Sequence, residues 1–140
     1  MSRYLVMMLV CLMAITASAQ ERKFDPAKFK ADAKAFILKE VSMTPTESKA
    51  FFPVYFEMID KKGEVFKRLG QMRKQQPKTD AEARKLITTH DQLSLRLQQI
   101  ENDYHKKFLT VLPAKKVLLV MRADGKFRRQ SLQKVAKNHK

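Results

Sequence analysis

The side chains that most often do chemistry are present in this chain, but they do not fall into the patterns that active sites need. The three histidines are His90, His105 and His139, and they include no H-x-x-x-H pair. The single cysteine, Cys11, lies in the N-terminal segment and supports none of them. Structural zinc sites use four such ligands at characteristic spacings. The sequence therefore predicts no metal site.

The carboxylates and hydroxyls of the chain also lack the spacing of a catalytic site. The acids of the central region lie among Lys and Arg at helical spacings, which favours solvated ion pairs over a catalytic pair. These acids are Asp60, Glu64, Asp91, Glu101 and Asp103. Ser48, Ser94 and Ser131 have no base in a recognisable pattern, and no glycine-rich loop could hold a phosphate. We therefore predict that the protein is not an enzyme and binds no cofactor.

The N-terminus has the features of a secretory signal peptide. A short basic start ending at Arg3 precedes an apolar run over residues 4–16, and Ala17-Ser18-Ala19 supplies the small residues of a cleavage site. The alternative is an anchor helix that stays uncleaved. We predict cleavage after Ala19, a signal peptide at 1–19, a single all-helical domain at 20–140, and export to the periplasm.

The chain is strongly basic, with a formal net charge of +15. Such a charge attracts anionic partners. Because the protein is predicted to be exported, we do not expect nucleic acid as its partner. Acidic polypeptides become better candidates, and an anionic membrane surface is a further one. The alternative is a solvated basic surface that only aids solubility.

Apolar residues recur at spacings of three and four, and no segment shows sustained strand alternation, so the fold is predicted to be all-α. Asp25 is a good N-cap for a first helix from Pro26 to about Glu40. Thr44 and Glu47 form a predicted capping box at the start of a second helix. That helix is predicted to run to about Lys74.

Two more helices follow. Thr79 and Glu82 predict another capping box, and the third helix then carries the strongest periodic signal in the chain. Its apolar stripe is Leu86, His90, Leu93, Leu97, Ile100, Tyr104, Phe108 and Val111. The turn before it is short, so the second and third helices should form a long antiparallel hairpin. Pro113 suits the first position of a fourth helix, in which Gly125 weakens the helical pattern.

The second helix carries an unusually wide apolar face. At about 100° per residue, its aromatic cluster with Met58 and Ile59 covers an arc of roughly 160°, whereas a surface helix usually buries about 100°. Either this helix packs between two neighbours, or part of the arc stays exposed as a binding surface. Each large apolar side chain that stays exposed gives up roughly 1.5–3 kcal/mol of stabilisation from burial. Exposure would therefore suggest a binding function.

Pro53 is expected to lie inside this helix. A proline there removes one backbone hydrogen bond and clashes with the carbonyl of Lys49, at a cost of about 3 kcal/mol. The expected result is a kink. The alternative is that the helix begins near Pro53, but Phe52 is a poor cap and Thr44 a good one.

Two stretches resemble motifs of the Spy/CpxP-like family of periplasmic proteins. Residues 43–47, Met-Thr-Pro-Thr-Glu, are similar to the family's Leu-Thr-x-x-Gln motif, with Met for Leu and Glu for Gln. The family repeats the motif before its last long helix, where residues 112–116 keep only the leucine. The TP-x-E-x-x-x-FFP and LPA-K-K-V-L stretches are similar to a branch from Bacteroidetes-type bacteria. The motif residues are Met43, Thr44, Pro45, Glu47, Pro53, Leu112 and Pro113.

The resemblance implies a curved, cradle-like homodimer that holds unfolded or partly folded proteins without ATP. Some members of the family bind zinc through histidine-rich segments, which this sequence lacks, so zinc is not expected. The candidate client-binding residues are five from the second helix and five arginines. They are Phe51, Phe52, Tyr55, Phe56, Met58, Arg68, Arg73, Arg122, Arg128 and Arg129.

Other functions remain open at this point. The protein could be an envelope-stress sensor that binds the periplasmic part of a membrane signalling protein. It could also be a Skp-like chaperone, although that would require a small β-rich assembly core for which the sequence gives no pattern. A protein that binds the membrane surface is the remaining alternative.

Overall fold

The computed structural model describes residues 24–138. These residues form four helices: α1 (Pro26–Glu40), α2 (Pro45–Arg73), α3 (Asp80–Val111) and α4 (Ala114–Asn138). There is no strand in this range, so the all-α prediction is confirmed. No helix in the same range is both long and apolar enough to cross a bilayer. The predicted signal peptide, its cleavage site and His139 lie outside the described residues.

Side-chain caps start the first two helices as predicted. The Asp25 carboxylate accepts hydrogen bonds from the backbone N–H groups of Ala27 and Lys28, at 3.0 and 3.3 Å. The Thr44 N–H donates to Glu47 Oε2 at 2.9 Å, and the Glu47 N–H donates to Thr44 Oγ1 at 3.1 Å. This reciprocal pair is a complete capping box, and it fixes the first residue of α2.

At the start of α3 the predicted capping box is only half formed. The Thr79 hydroxyl accepts from the Glu82 N–H at 3.2 Å, as expected. The Glu82 carboxylate instead accepts from the N–H of Lys78 at 2.7 Å, one residue before the cap. Both bonds still satisfy backbone donors at the helix start, so the helix begins where the sequence predicts.

The connection between α3 and α4 consists of Leu112 and Pro113. The Leu112 N–H closes the end of α3 by donating to the Phe108 carbonyl at 2.9 Å. The Pro113 carbonyl accepts from the Val117 N–H at 3.1 Å, which places Pro113 at the N-cap rather than at the first helical position. The prediction is therefore one residue out, and α4 then continues through Gly125 without a break.

Helices α2 and α3 form the predicted antiparallel hairpin. Near the start of α2, Phe51 packs on Phe108 at the end of α3, and about three turns further along α2 Lys62 contacts Glu101. Contacts between α2 and α4 instead advance in the same direction. Lys116 Nζ lies 2.6 Å from Glu47, and Asp124 lies 2.6 Å from the Tyr55 hydroxyl. Helix α4 therefore runs parallel to α2.

Helix α1 closes the other side of the core. Its Phe29 and Phe36 rings lie 5.3 and 5.6 Å from the ring of Phe127 on α4. Pro53 is exposed on α2, which continues through it without interruption. The kink at Pro53, the curvature and the dimer stay predictions.

Candidate polypeptide-binding surface

The aromatic cluster of α2 lies in the core. Phe51, Phe52, Tyr55 and Met58 are each at most 4% exposed. The Phe51 ring lies 4.9 Å from the Phe108 ring and 5.1 Å from the Phe52 ring, measured between centroids. These four side chains hold the fold together. The assignment of Phe51, Phe52 and Tyr55 as client-binding residues is therefore corrected to a core role, whereas Met58 is buried but also lines the groove described below.

The wide apolar arc of α2 consists of two stripes that face different helices. The inner stripe faces α3 and comprises Phe51, Tyr55, Met58, Lys62, Val65 and Leu69. The outer stripe faces α1 and comprises Phe52, Phe56, Ile59, Gly63 and Phe66. Both follow alternating spacings of four and three, so each is a straight seam along the helix. Two neighbours thus account for the arc, as one of the two alternatives predicted.

Helix α1 covers only the first part of the outer stripe. Lys34 Nζ lies 5.2 Å above the Phe52 ring, and Lys30 Nζ lies 5.9 Å above the Phe56 ring and 2.6 Å from Asp60. Helix α1 therefore runs antiparallel to α2 and begins near the level of Asp60. The rest of the outer stripe extends past this point.

An apolar groove of about 690 Å³ opens where α1 begins. Phe24, Pro26 and Phe29 form one side of it, and Ile59, Gly63 and Phe66 of α2 form the other. Phe24 is 69% exposed and Phe66 is 50% exposed. Contiguous exposed apolar surface of this kind is characteristic of binding sites. Sequence reasoning did not select Phe24 or Phe66, although Phe66 continues the spacing of the outer stripe.

Gly63 shapes the floor of the apolar groove. No atom lies within 4 Å of the position that a Cβ atom would take there. A glycine in a helix interior costs about 1 kcal/mol relative to alanine, and neither a turn nor a close contact requires one here. Its effect is to leave the backbone bare beside Phe66.

A polar network ties three helices together at the groove, and its members Lys62, Asp124 and Arg128 also line the groove. Lys62 is only 5% exposed and its ammonium donates a hydrogen bond to Glu101 on α3. Arg128 of α4 lies 3.3 Å from Glu101 and 3.0 Å from Asp124. Asp124 also accepts a 2.6 Å hydrogen bond from the Tyr55 hydroxyl. Two carboxylates thus neutralise Lys62 and Arg128, so Arg128 is not the free cation that the sequence suggested.

The protonation states in this network follow from its geometry. Burial acts to raise the pKa of Glu101, but the hydrogen bond and charge of Lys62 and the charge of Arg128 outweigh it and hold that pKa below its usual range. Burial, and then the negative charge of Asp124, raises the pKa of the Tyr55 hydroxyl. Near neutral pH, Glu101 is therefore charged and Tyr55 is a neutral donor.

The other four candidate arginines are exposed and lie on two helices. Arg68 and Arg73 belong to the last turns of α2, and Arg122 and Arg129 belong to α4. Within residues 24–138 none of the four forms an ion pair. Three cations line the groove: Lys62, Lys67 and Arg128. Of these, Lys67, which the sequence did not single out, forms no ion pair within residues 24–138.

The two stretches that carry the family resemblance meet in the structure. Lys116 donates to Glu47 Oε2 at 2.6 Å, so the residue that caps α2 also joins it to the first turn of α4. The hydrogen bond from Lys116, followed by the one from the Thr44 N–H, lowers the pKa of Glu47. Met43 is half-buried and Leu112 is buried beside them. These residues act in the architecture rather than at the surface.

The part of the chain that the structure describes contains no group of three or more side chains able to hold a metal ion. His90 was predicted on the apolar stripe of α3, but it is exposed and its Nδ1 lies 3.2 Å from Asp91. This position lies in the half of α3 nearest the turn to α2. The structure thus places His90 beside a neighbouring carboxylate at the surface.

No protein-family model matches the chain, and neither a curated protein nor a solved structure matches it. The resemblance to the Spy/CpxP-like family therefore depends on the motif residues alone and stays a prediction.

Proposed function

We propose that this protein is an ATP-independent chaperone of the periplasm, which holds unfolded or partly folded proteins and prevents their aggregation. The observation that carries the proposal is the apolar groove between the start of α1 and the outer stripe of α2. It presents Phe24 and Phe66 to solvent although both could stabilise a closed core.

The chemistry of the groove suits a varied set of polypeptides. Its walls offer aromatic and aliphatic contacts without a deep pocket that would select one side chain. Phe24 contacts Phe29 at 5.6 Å between centroids and belongs to the chain just before the first cap, so this wall can adapt to its occupant. Weak contacts of this kind favour many clients over one.

Charge provides the long-range part of the mechanism. The chain carries a formal net charge of +15, and Lys67 places one cation at the groove itself. Attraction over the whole surface speeds encounter with acidic, unfolded chains and weakens as salt is added. Acidic residues next to an apolar segment are therefore the client feature that this surface should favour.

The direct test places a carboxylate in the groove. Gly63→Glu introduces a negative charge beside Phe66 where there is open space for a side chain. Gly70→Glu is the matched control, because it makes the same change on the same helix, also in open space. We expect the wild-type protein and the control to suppress aggregation of an acidic, denatured client at near-stoichiometric amounts, and Gly63→Glu to lose most of this activity.

A second pair of variants removes an apolar contact without changing charge. Phe66→Ser should weaken aggregation suppression, whereas Leu95→Ser, at an exposed position on α3, should not. Far-UV circular dichroism of each variant checks that the fold is intact. If the wild-type protein fails to suppress aggregation at any ratio, the chaperone proposal is wrong. If all four variants keep full activity, the groove is not the binding surface.

Location and assembly belong to the same proposal. Mass spectrometry of the exported protein should give an N-terminus at Gln20, since cleavage is predicted after Ala19. Light scattering should give the mass of a homodimer. A trimer would instead favour a Skp-like assembly, and selective capture of one membrane signalling protein would favour a sensor.

A further inference from the structure

A second apolar surface lies along one side of α4 in two parts, with one pair of residues near the start of the helix and another near its end. Gly125 and the ion-paired Arg128 lie on the same arc between the two pairs. Leu118, Met121, Leu132 and Val135 are all exposed, the last two by 70% and 56%. At about 100° per residue these four positions fall within roughly 100° of the helix circumference. At about 1.5 Å per residue the stripe extends over about 25 Å. We call these four residues the α4 stripe.

The α4 stripe lies beside a row of cations. Lys115, Arg122, Lys126 and Arg129 occupy the adjacent 60° or so of the helix. Lys126 is paired with Glu40 at 3.2 Å, but within residues 24–138 the other three form no ion pair. The whole helix contains eight Lys or Arg and a single acid, Asp124. An apolar stripe and an unbalanced positive row thus lie side by side.

The last turns of α4 leave this surface uncovered. Phe127 is the last buried residue, and after Ser131 every described residue is exposed. The stripe lies on the surface of a single helix and not in a groove. A partner that contacts it must therefore adapt its own shape to the helix.

We propose that this face of α4 docks on an anionic lipid membrane, with the α4 stripe entering the acyl boundary and the cations contacting the headgroups. Helices with one apolar face and flanking Lys or Arg lie in the membrane interface in this way. Anionic headgroups attract each nearby cation. The inference does not rest on the chaperone function, since none of the four residues of the α4 stripe lines the groove.

A second copy of the chain is a poorer occupant for the same face. Pairing two α4 helices through this stripe would bring two rows of unpaired cations together, with Asp124 already bound to Arg128 and Tyr55. Like charges in such close contact are unfavourable. A negatively charged surface removes this repulsion.

The test is co-sedimentation of the full exported protein with vesicles of 30% phosphatidylglycerol in phosphatidylcholine, and with phosphatidylcholine alone. Leu132→Ser with Val135→Ser should reduce the partition coefficient for the anionic vesicles at least about tenfold. Arg122→Gln with Arg129→Gln should reduce it about 30-fold. The matched controls are Ile87→Ser with Leu95→Ser, and Arg73→Gln with Arg96→Gln, all exposed positions on α2 and α3.

Each outcome decides the proposal. Binding that requires phosphatidylglycerol, weakens with salt and is lost only in the two α4 variants supports it. Equal binding to both vesicle types, no binding, or equal losses in the controls would overturn it. A dimer that dissociates in the α4 variants while vesicle binding is unchanged would show that this face joins two copies instead. Aggregation suppression should persist in Leu132→Ser with Val135→Ser, whose two residues are neither part of the groove nor charged, so loss of vesicle binding in this variant does not test the chaperone proposal.

Discussion

The ion pair between Lys62 and Glu101 gives the sharpest prediction about this fold, because its two partners are unequally buried. The Lys62 ammonium is almost completely enclosed between α2 and α3, whereas the Glu101 side chain keeps some contact with water and has a second partner in Arg128. Removing either partner breaks the same pair. What differs between the two variants is the charge that is left behind.

The magnitudes follow from that difference. Glu101→Ala leaves a buried ammonium without a counter-ion, which costs about 3–5 kcal/mol. Lys62→Met keeps the buried apolar stem, and Glu101 retains Arg128 and water, so the loss should be about 1 kcal/mol. For a domain of this size, about 4 °C of melting temperature corresponds to each kcal/mol. We therefore expect Glu101→Ala to lower Tm by roughly 12–20 °C and Lys62→Met by about 4 °C.

Denaturation by urea, followed by circular dichroism at the helix band, measures these free energies of unfolding. The double variant should be more stable than Glu101→Ala alone, because it leaves no unpaired buried charge. Lys61→Met is the control, since Lys61 is exposed and within residues 24–138 it forms an ion pair only with Glu57, at 3.6 Å. Its ammonium also lies 5.7 Å from the Tyr104 ring, a weak contact at an exposed site, so the variant should change stability by less than about 1 kcal/mol. If Glu101→Ala costs no more than Lys62→Met, or if the two losses simply add, the assignment of a buried, carboxylate-dependent ammonium is refuted.

The remaining predictions concern the start of α2 and its proline. Pro53→Ala restores a hydrogen bond to the Lys49 carbonyl, so we expect it to raise the unfolding free energy by about 1–3 kcal/mol, to straighten the helix and to alter aggregation suppression. Unchanged structure and unchanged aggregation suppression would show that Pro53 neither bends α2 nor affects client binding. Thr44→Ala should cost about 1 kcal/mol through the lost cap, as measured by urea denaturation. Folding lowers the pKa of both Glu47 and Glu101, so each carboxylate stabilises the folded state while it is charged. This contribution should be present above the unfolded-state pKa of about 4.3 and be lost as the pH falls further and the two groups become protonated in the folded protein. A pH series of melting temperatures would contradict this if Tm rose on acidification.

The helix boundaries were predictable because they depend on residues next to them. Asp25 and Thr44 bond to backbone groups within three residues, so their effect can be read from the sequence alone. The errors at Lys78 and Pro113 are shifts of one residue within the same local patterns. Local hydrogen bonding therefore sets where the first three helices begin, whereas their stability depends mainly on packing of their apolar faces.

The apolar groove was harder to predict because it depends on how far one helix extends along another. Periodicity gives the width of an apolar arc on α2, but it does not give the number of helices that cover the arc or how far they reach. The aromatic residues at the start of α2 are covered on both sides and are core. Phe66 has the same chemistry and the same spacing, yet it is half exposed because α1 begins before reaching it.

A mismatch in length is thus the physical source of the groove. Helix α1 has 15 residues and α2 has 29, which correspond to about 22 and 43 Å. The outer stripe of α2 continues from Phe52 to Phe66, and α1 reaches only the level of Asp60. The first half of this stripe is therefore part of the core, and its second half is the surface on which the proposed binding depends. The polar network at the groove joins α2, α3 and α4, so the proposed binding at Phe66 would not require the core around Phe51 to open.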